Sequence, residues 1–283
     1  MTKVTAIIPS LYTVDAKYLK LCVESLRATV DWDIIVVTNG TKTPEPIESY
    51  AGEDIKGISN RLHSPIPGQC TAVNIGASVV NPTTEYLFIV NSDMYFAPGW
   101  NKKLNFDYSV FSPNLLEPTD NNGSADPFLK VDGGFNIEDF NKNKVDNFVA
   151  EHNDPVIEHG FNFPLFIRKD LWEFLEGYDE NYDPWGSNSD TDLQTRINLA
   201  GLTPKRLRDV LVYHFSNKSG TFDGTHQEEY QHNIDYFRDK FGFDRDELGS
   251  DVWYNKDMLP EDESRIRYEQ KPFKVVPLQV GVV

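Results

Sequence analysis

Glu85-Tyr86-Leu87-Phe88-Ile89-Val90-Asn91-Ser92-Asp93-Met94-Tyr95-Phe96-Ala97-Pro98-Gly99-Trp100 is the stretch that decides the fold. An unbroken apolar and aromatic run, Tyr86 to Val90, meets the polar cluster Asn91, Ser92 and Asp93. A run of this kind suits a strand covered on both faces, as strands of parallel sheets are. In open α/β sheets, ligands gather outside the carboxyl ends of the strands. Asp93 therefore falls where such a fold carries its chemistry, and Pro98-Gly99 turns the chain directly afterwards.

Toward the N-terminus the pattern alternates. Val4 to Ile8 is a short apolar strand stopped by Pro9, with Ser10, Leu11 and Tyr12 as a loop at its end. Asp15 to Val30 reads as a helix, because Leu19, Cys22, Val23, Leu26 and Val30 recur at spacings of three and four. Asp33 to Val37 is a second strand, running into Thr38, Asn39, Gly40 and Thr41, and Ile58 marks a third, short one. Gln69 to Val80 is a helix rich in small residues, suited to close packing on a sheet, and Asn81-Pro82 ends it. Alternation of strand and helix argues for a parallel sheet with right-handed crossovers.

Toward the C-terminus the pattern first degrades. Asn, Asp, Pro and Gly cluster between residues 101 and 159, which is expected to be an irregular insertion with a strand or two and a short helix near Ile137. Order returns with a strand over Gly160 to Ile167 and a helix over Arg168 to Leu175. After a turn at Gly177 to Pro184, Ser189 is the expected N-cap of a helix reaching Ala200, with Asp190 and Asp192 in its first turn. Val210 to Phe215 is a strand, Gln227 to Phe241 a helix, and Val275 to Val283 an extra strand or docking segment. The expected fold class is α/β, a mixed, mostly parallel sheet flanked by helices.

Composition narrows the function. The chain has 283 residues, with 27 basic and 44 acidic, for a net charge of −17. A polyanion would be repelled, so nucleic acid is not an expected partner. The 2 cysteines, Cys22 and Cys70, have no zinc-type spacing and read as reduced packing residues. No stretch approaches the roughly 20 apolar residues that span a bilayer, and the N-terminus lacks the layout of a signal peptide. The expected location is cytoplasmic.

Six stretches, in order, carry a resemblance. They are Ile7-Ile8-Pro9-Ser10; Ile35-Val36-Val37-Thr38-Asn39-Gly40-Thr41; Gly68 with Ala72, Asn74 and Gly76; Asn91-Ser92-Asp93; Gly177-Tyr178-Asp179 with Trp185-Gly186 and Asp190-Thr191-Asp192-Leu193 before Arg196; and His214 after an apolar strand. Together they resemble the GT-A fold glycosyltransferases of the inverting family 2, over about residues 4 to 242. The resemblance implies transfer of a sugar from a nucleotide-diphosphate sugar (UDP-, GDP- or dTDP-linked) to a glycan, lipid-linked or small-molecule acceptor. It implies a domain over 1–242, with a nucleotide-sugar half at 1–100, the insertion at 101–159 and an acceptor and catalytic half at 160–242. Residues 243–283 are then a C-terminal extension.

The same resemblance implies the roles of single residues. Pro9, Ser10, Leu11, Asn39, Asn74, Asn91, Ser92 and Asp93 are expected around the donor, and Trp185, Gly186 and Asp192 around the acceptor. Asn91-Ser92-Asp93 stands in place of the family's DxD motif. Its first carboxylate is here Asn91, so the site has one acid fewer. Asp93 and His214 are the expected ligands of a divalent cation, Mn²⁺ or Mg²⁺, which offsets charge on a leaving diphosphate. Inversion requires a base on the face opposite the leaving group, and Asp190 is the expected one. His152 and His159 are further candidates for acceptor contact. The competing readings are a sugar-nucleotide nucleotidyltransferase and a non-catalytic binding module. The first would need a Gly-rich, basic phosphate loop where Ser10-Leu11-Tyr12-Thr13 stands.

Overall fold

The computed structural model describes residues 2–39, 58–64, 68–119, 129–160, 163–216, 218 and 226–245, with the backbone alone for 12–14. Gly40-Thr41, much of the glycine- and asparagine-rich part of the insertion and the segment Val275 to Val283 lie outside the described residues. The strands are β1 (Val4–Ser10), β2 (Asp33–Asn39), β3 (Asn60–Ser64), β4 (Tyr86–Ile89), β5 (Met94–Tyr95), β6 (Val110–Pro118), β7 (Leu129–Val131), β8 (Ile157–His159), β9 (Leu165–Arg168) and β10 (Lys205–His214). The helices are α1 (Tyr12–Arg27), α2 (Gln69–Ser78), α3 (Lys142–Glu151), α4 (Lys169–Phe174), α5 (Ser189–Leu199) and α6 (Gln227–Phe241).

All these strands join one mixed sheet in the order β3-β2-β1-β4-β9-β6-β10-β5, with β7 on β6 and β8 on β10. β1, β2, β3 and β4 pair in parallel; β1, β2 and β4 are the apolar runs of the first 90 residues, while β3 is a polar, largely half-buried strand at the end of the order. β9 runs antiparallel to both β4 and β6, and β10 returns parallel to β6. Phe88, Phe166 and Phe111 sit opposite one another on β4, β9 and β6. Their rings stack at 4.0 and 4.7 Å, forming an aromatic ladder across the sheet's centre. Such ring pairs contribute about 0.5–1.5 kcal/mol each beyond the area they bury.

α2 lies close on β1 and β2. A Cβ at Gly76 would stand 2.5 Å from Ile7 Cγ2 and 3.3 Å from Val37 Cγ2, so only glycine permits this approach. The face Leu19, Cys22, Val23 and Leu26 of α1 is buried as its spacing predicts, and both cysteines are free and buried.

The stretch expected to be irregular differs most. β6 crosses the centre of the sheet with every residue from Val110 to Pro118 buried. Pro113 cannot donate to a ladder, and the pairing of β6 with β10 shifts register beside it, between Leu207 and Leu211. Helical structure comes at Lys142–Glu151 rather than near Ile137, capped by Asn141, whose side chain accepts from Lys144 N. The strand expected over Gly160 to Ile167 is observed as Leu165–Arg168.

Candidate active site

The register of the last sheet edge builds the first half of the site. β5 pairs antiparallel with β10, placing Met94 opposite His214, and Phe215 N donates to Asp93 O at 3.1 Å. His214 Nε2 consequently lies 3.4 Å from Asp93 Oδ1, while its Nδ1 lies 3.0 Å from Glu117 Oε1 on β6. Burial opposes ionisation of Asp93, but the charge and hydrogen bond of His214 and the backbone N–H of Lys218 hold its carboxyl below the ordinary value. Burial likewise disfavours the imidazolium, yet Asp93 and Glu117 together push His214 up to about 10.

These residues fit a divalent cation as a two-ligand site. The 3.4 Å spacing is close to that of two donors on one ion with bonds of about 2.1–2.3 Å. Glu117 fixes the far ring nitrogen, as the outer-shell partners of ligating histidines do. Among the described residues, no group of three or more His, Cys, Asp or Glu side chains is arranged to hold a metal.

Asp15, which the sequence reading passed over, organises the adjoining strand ends. It lies in the first turn of α1, is buried, accepts from Ser10 Oγ at 2.7 Å and also accepts from Ser92 Oγ. One carboxylate thus joins the ends of β1 and β4. Burial is the largest influence on it and, with Asp93 nearby, raises its carboxyl above the ordinary range. Pro9, Ser10, Asn39 and Ser92 are buried at these ends, with Leu11 and Asn91 half-buried beside them.

The second half of the site hangs from α2. Asp183 accepts from Cys70 N at 3.2 Å, Thr71 N at 2.8 Å and Thr71 Oγ1 at 2.8 Å, capping the helix from far along the chain. Asn74 donates to Tyr178 O at 2.9 Å and accepts from Tyr178 N at 2.9 Å. Asn74, expected near the donor, here holds the 177–180 turn through its amide. Between these anchors the backbone is strained, with Trp185 at φ 76° and Asn188 at φ 65°. Asn233 Nδ2 holds the turn through Tyr182 O and Ser187 Oγ, and Arg245 donates to Asn188 Oδ1. Trp185 stacks on His226 with ring centroids 3.8 Å apart, and Gly186 is buried against α2.

Asp190 follows in the first turn of α5 and is solvent-exposed. Desolvation by the surrounding protein pushes its carboxyl up to about 7, against the opposing influences of Ser189, Arg245 and Tyr178. Asp192, two residues on, is placed differently. Its side chain is fully buried, pairing with Arg196 Nε at 2.5 Å and Lys240 Nζ at 2.6 Å. Arg196 also donates to Leu175 O and Gly177 O. Asp192, expected near the acceptor, here braces α5 against the turn and α6. His152 and His159 have structural partners as well, Arg208 O and Lys205 Nζ.

Residues 5–105 match the family model described as glycosyl transferase family 2. No curated protein sequence matches the chain. Among solved structures, GalNAc-T7 with UDP, GalNAc and Mn²⁺ aligns at 13% identity and TM-score 0.53, covering 76% of this chain and 44% of its own. The mannosyltransferase PcManGT from Pyrobaculum calidifontis, in complex with GDP-Man and Mn²⁺, aligns at 14% identity and TM-score 0.51, covering 86% and 65%. S. aureus TarS 1-349 aligns at 12% identity and TM-score 0.48, covering 86% and 73%. The fold is that of the GT-A glycosyltransferases, and the first strands and helices of the chain are family 2-like.

Proposed function

We propose that the protein moves a hexosyl group from a nucleotide-diphosphate sugar to an acceptor hydroxyl, inverting the anomeric centre, with Asp190 as general base. The observation that carries this is the pairing of Asp93 with His214 at the carboxyl ends of the strands, on a family 2-like GT-A fold. A bound divalent cation, Mn²⁺ or Mg²⁺, would supply charge neutralisation for the leaving diphosphate. Asp93 and His214 would hold it, with the donor's own phosphates completing its coordination.

The chain's own groups do the rest. Asn91 hydrogen-bonds a ribose hydroxyl, and Ser10, Ser92 and Asp15 keep the two strand ends in register around the nucleotide. Pro9, Leu11 and Asn39 line the base and ribose. The composite face of Trp185 and His226 offers an apolar surface to the acceptor, and Gly186 lets the chain pass close under it. Asp190 takes the proton from the attacking hydroxyl. Residues 1–100 carry the donor side and 160–242 the acceptor side.

The test is turnover of UDP-, GDP- and dTDP-hexoses with Mn²⁺ and simple glycoside acceptors, followed by proton NMR of the anomeric signal. Release of nucleoside diphosphate with inverted product is expected. Retained configuration would refute the role of Asp190, and no release from any donor would refute sugar transfer.

A further inference from the structure

The turn that carries Asp190 is held from behind α6. Gly242 ends that helix in the left-handed conformation at φ 80°, and the chain turns back. Phe243 then packs on Phe237 and Phe241, with ring centroids 5.8 and 6.0 Å away, which fixes the departing segment against the helix it has left. Arg245 reaches from this segment to Asn188, where its Nη1 donates to Asn188 Oδ1 at 2.7 Å. Asn188 stands at the N-cap position of α5 with φ 65° and ψ −1°, yet its side chain makes no capping hydrogen bond. The left-handed region costs free energy for a residue with a Cβ, and an N-cap asparagine ordinarily spends its side-chain oxygen on the helix's own N–H groups. Here that oxygen goes to Arg245. Asn188 O still accepts from Asp192 N at 3.0 Å, so the conformation of this one residue sets the direction of the first turn of α5, with Asp190 in it.

α6 grips the preceding residue as well, through Asn233 Nδ2 and Ser187 Oγ at 3.0 Å. The groups around the Asp190 carboxyl are Ser189 Oγ at 3.4 Å, Tyr178 Oη at 3.5 Å, the Cys70 thiol on α2 and the Arg245 guanidinium. Of these four only Arg245 is a cation, and its charge works against the desolvation of Asp190.

Resting on the reading of Asp190 as base, we infer that Arg245 is a positioning residue for the reaction: it holds Asn188 in the left-handed conformation that aims the first turn of α5, and so Asp190, at the acceptor. The catalytic half of the chain then does not end with α6, and the first residues of the C-terminal extension belong to it. The guanidinium has a second effect, favouring the ionised carboxylate that a base must present at neutral pH.

The experiment follows kcat/KM and the saturating rate from pH 5.5 to 9 for wild type, Arg245→Met, Arg245→Lys and Asn188→Gly, with UDP-, GDP- and dTDP-hexoses in MnCl₂, and measures donor affinity by calorimetry. In Arg245→Met the midpoint of kcat/KM is expected to rise by about half a unit to one unit as the nearby charge is lost. Its rate on the high-pH plateau is expected to fall about 10- to 100-fold from misplacement of the base, with donor affinity unchanged. Arg245→Lys should return the midpoint to the wild-type value and recover part of the rate. Asn188→Gly adopts the left-handed turn without strain and removes only the partner of Arg245, so it tests the same contact in a chain that folds; its plateau is expected to fall about tenfold. A wild-type plateau in Arg245→Met or Asn188→Gly, or a lowered plateau in Arg245→Met with an unmoved midpoint and no recovery in Arg245→Lys, would overturn the assignment alone while Asp190→Asn remains inactive. If Asp190→Asn keeps near wild-type turnover, the base reading falls and the role of Arg245 with it.

Discussion

Replacing Asp190 with Asn, and following the wild-type rate against pH, separates a base from a helix-capping charge. A carboxyl pushed up to about 7 is half ionised at neutrality, about nine-tenths ionised at pH 8 and about one-tenth at pH 6. The rate at limiting donor and acceptor, kcat/KM, which reports the free enzyme, should therefore fall about tenfold from pH 8 to pH 6 along a single titration. An aspartate at its ordinary value of 3.8 would give a flat profile over that range. Asp190→Asn should lose about 10²- to 10⁴-fold in rate, the usual range for a positioned base. Stability should move the other way. The folded carboxyl holds its proton to higher pH than the unfolded one, so wild type loses stability as pH rises from about 4 through about 7. Asp190→Asn is exempt from that loss and should melt no lower than wild type at pH 8. Assays of nucleoside diphosphate release across pH 5.5 to 9, with thermal melts in the same buffers, read both effects. A flat rate profile, or a variant with near wild-type activity, would refute the assignment.

Three further outcomes follow from particular contacts. Glu117→Leu removes the acceptor on His214 Nδ1, and Mn²⁺ affinity measured by electron paramagnetic resonance in the presence of nucleoside diphosphate should fall about 10- to 100-fold; unchanged affinity would show that His214 needs no second partner. Asp183→Ala strips the cap from α2 and leaves Cys70 N and Thr71 N unpaired, costing about 1–3 kcal/mol in urea denaturation and lowering the rate more than donor affinity. Phe166→Ala breaks the centre of the aromatic ladder and should cost about 3–5 kcal/mol, and a loss under about 1 kcal/mol would contradict the packing described.

The N-terminal part of the fold was legible because most of its strands are parallel and buried on both faces. Val4 to Ile8, Asp33 to Val37 and Tyr86 to Val90 read directly as apolar runs, and Asp93 sits at a strand end as that pattern implies. β6 was not legible, because Ser112, Asn114 and Glu117 are polar residues buried in a central strand, and Pro113 is accommodated only by a register shift in its neighbour. α3 did leave a signal: Asn141 as a cap, then Val145, Phe148 and Val149 at helical spacing. At the site, Asp93 and His214, named together from sequence order, lie 3.4 Å apart. Sequence order could not show that Asn74 and Asp192 would be consumed by long-range anchoring, nor that Asp15 would join two strand ends, because those roles depend on partners 48 to 104 residues away.

The most direct measurement is calorimetric titration of UDP-, GDP- and dTDP-hexoses into wild type and Asp93→Asn, each with and without MnCl₂. Binding of at least one donor by wild type, strengthened by Mn²⁺ and losing that strengthening in Asp93→Asn, is the predicted result. Donor binding that ignores both the metal and Asp93, or no donor binding at all, would contradict a sugar-nucleotide site at the end of β4.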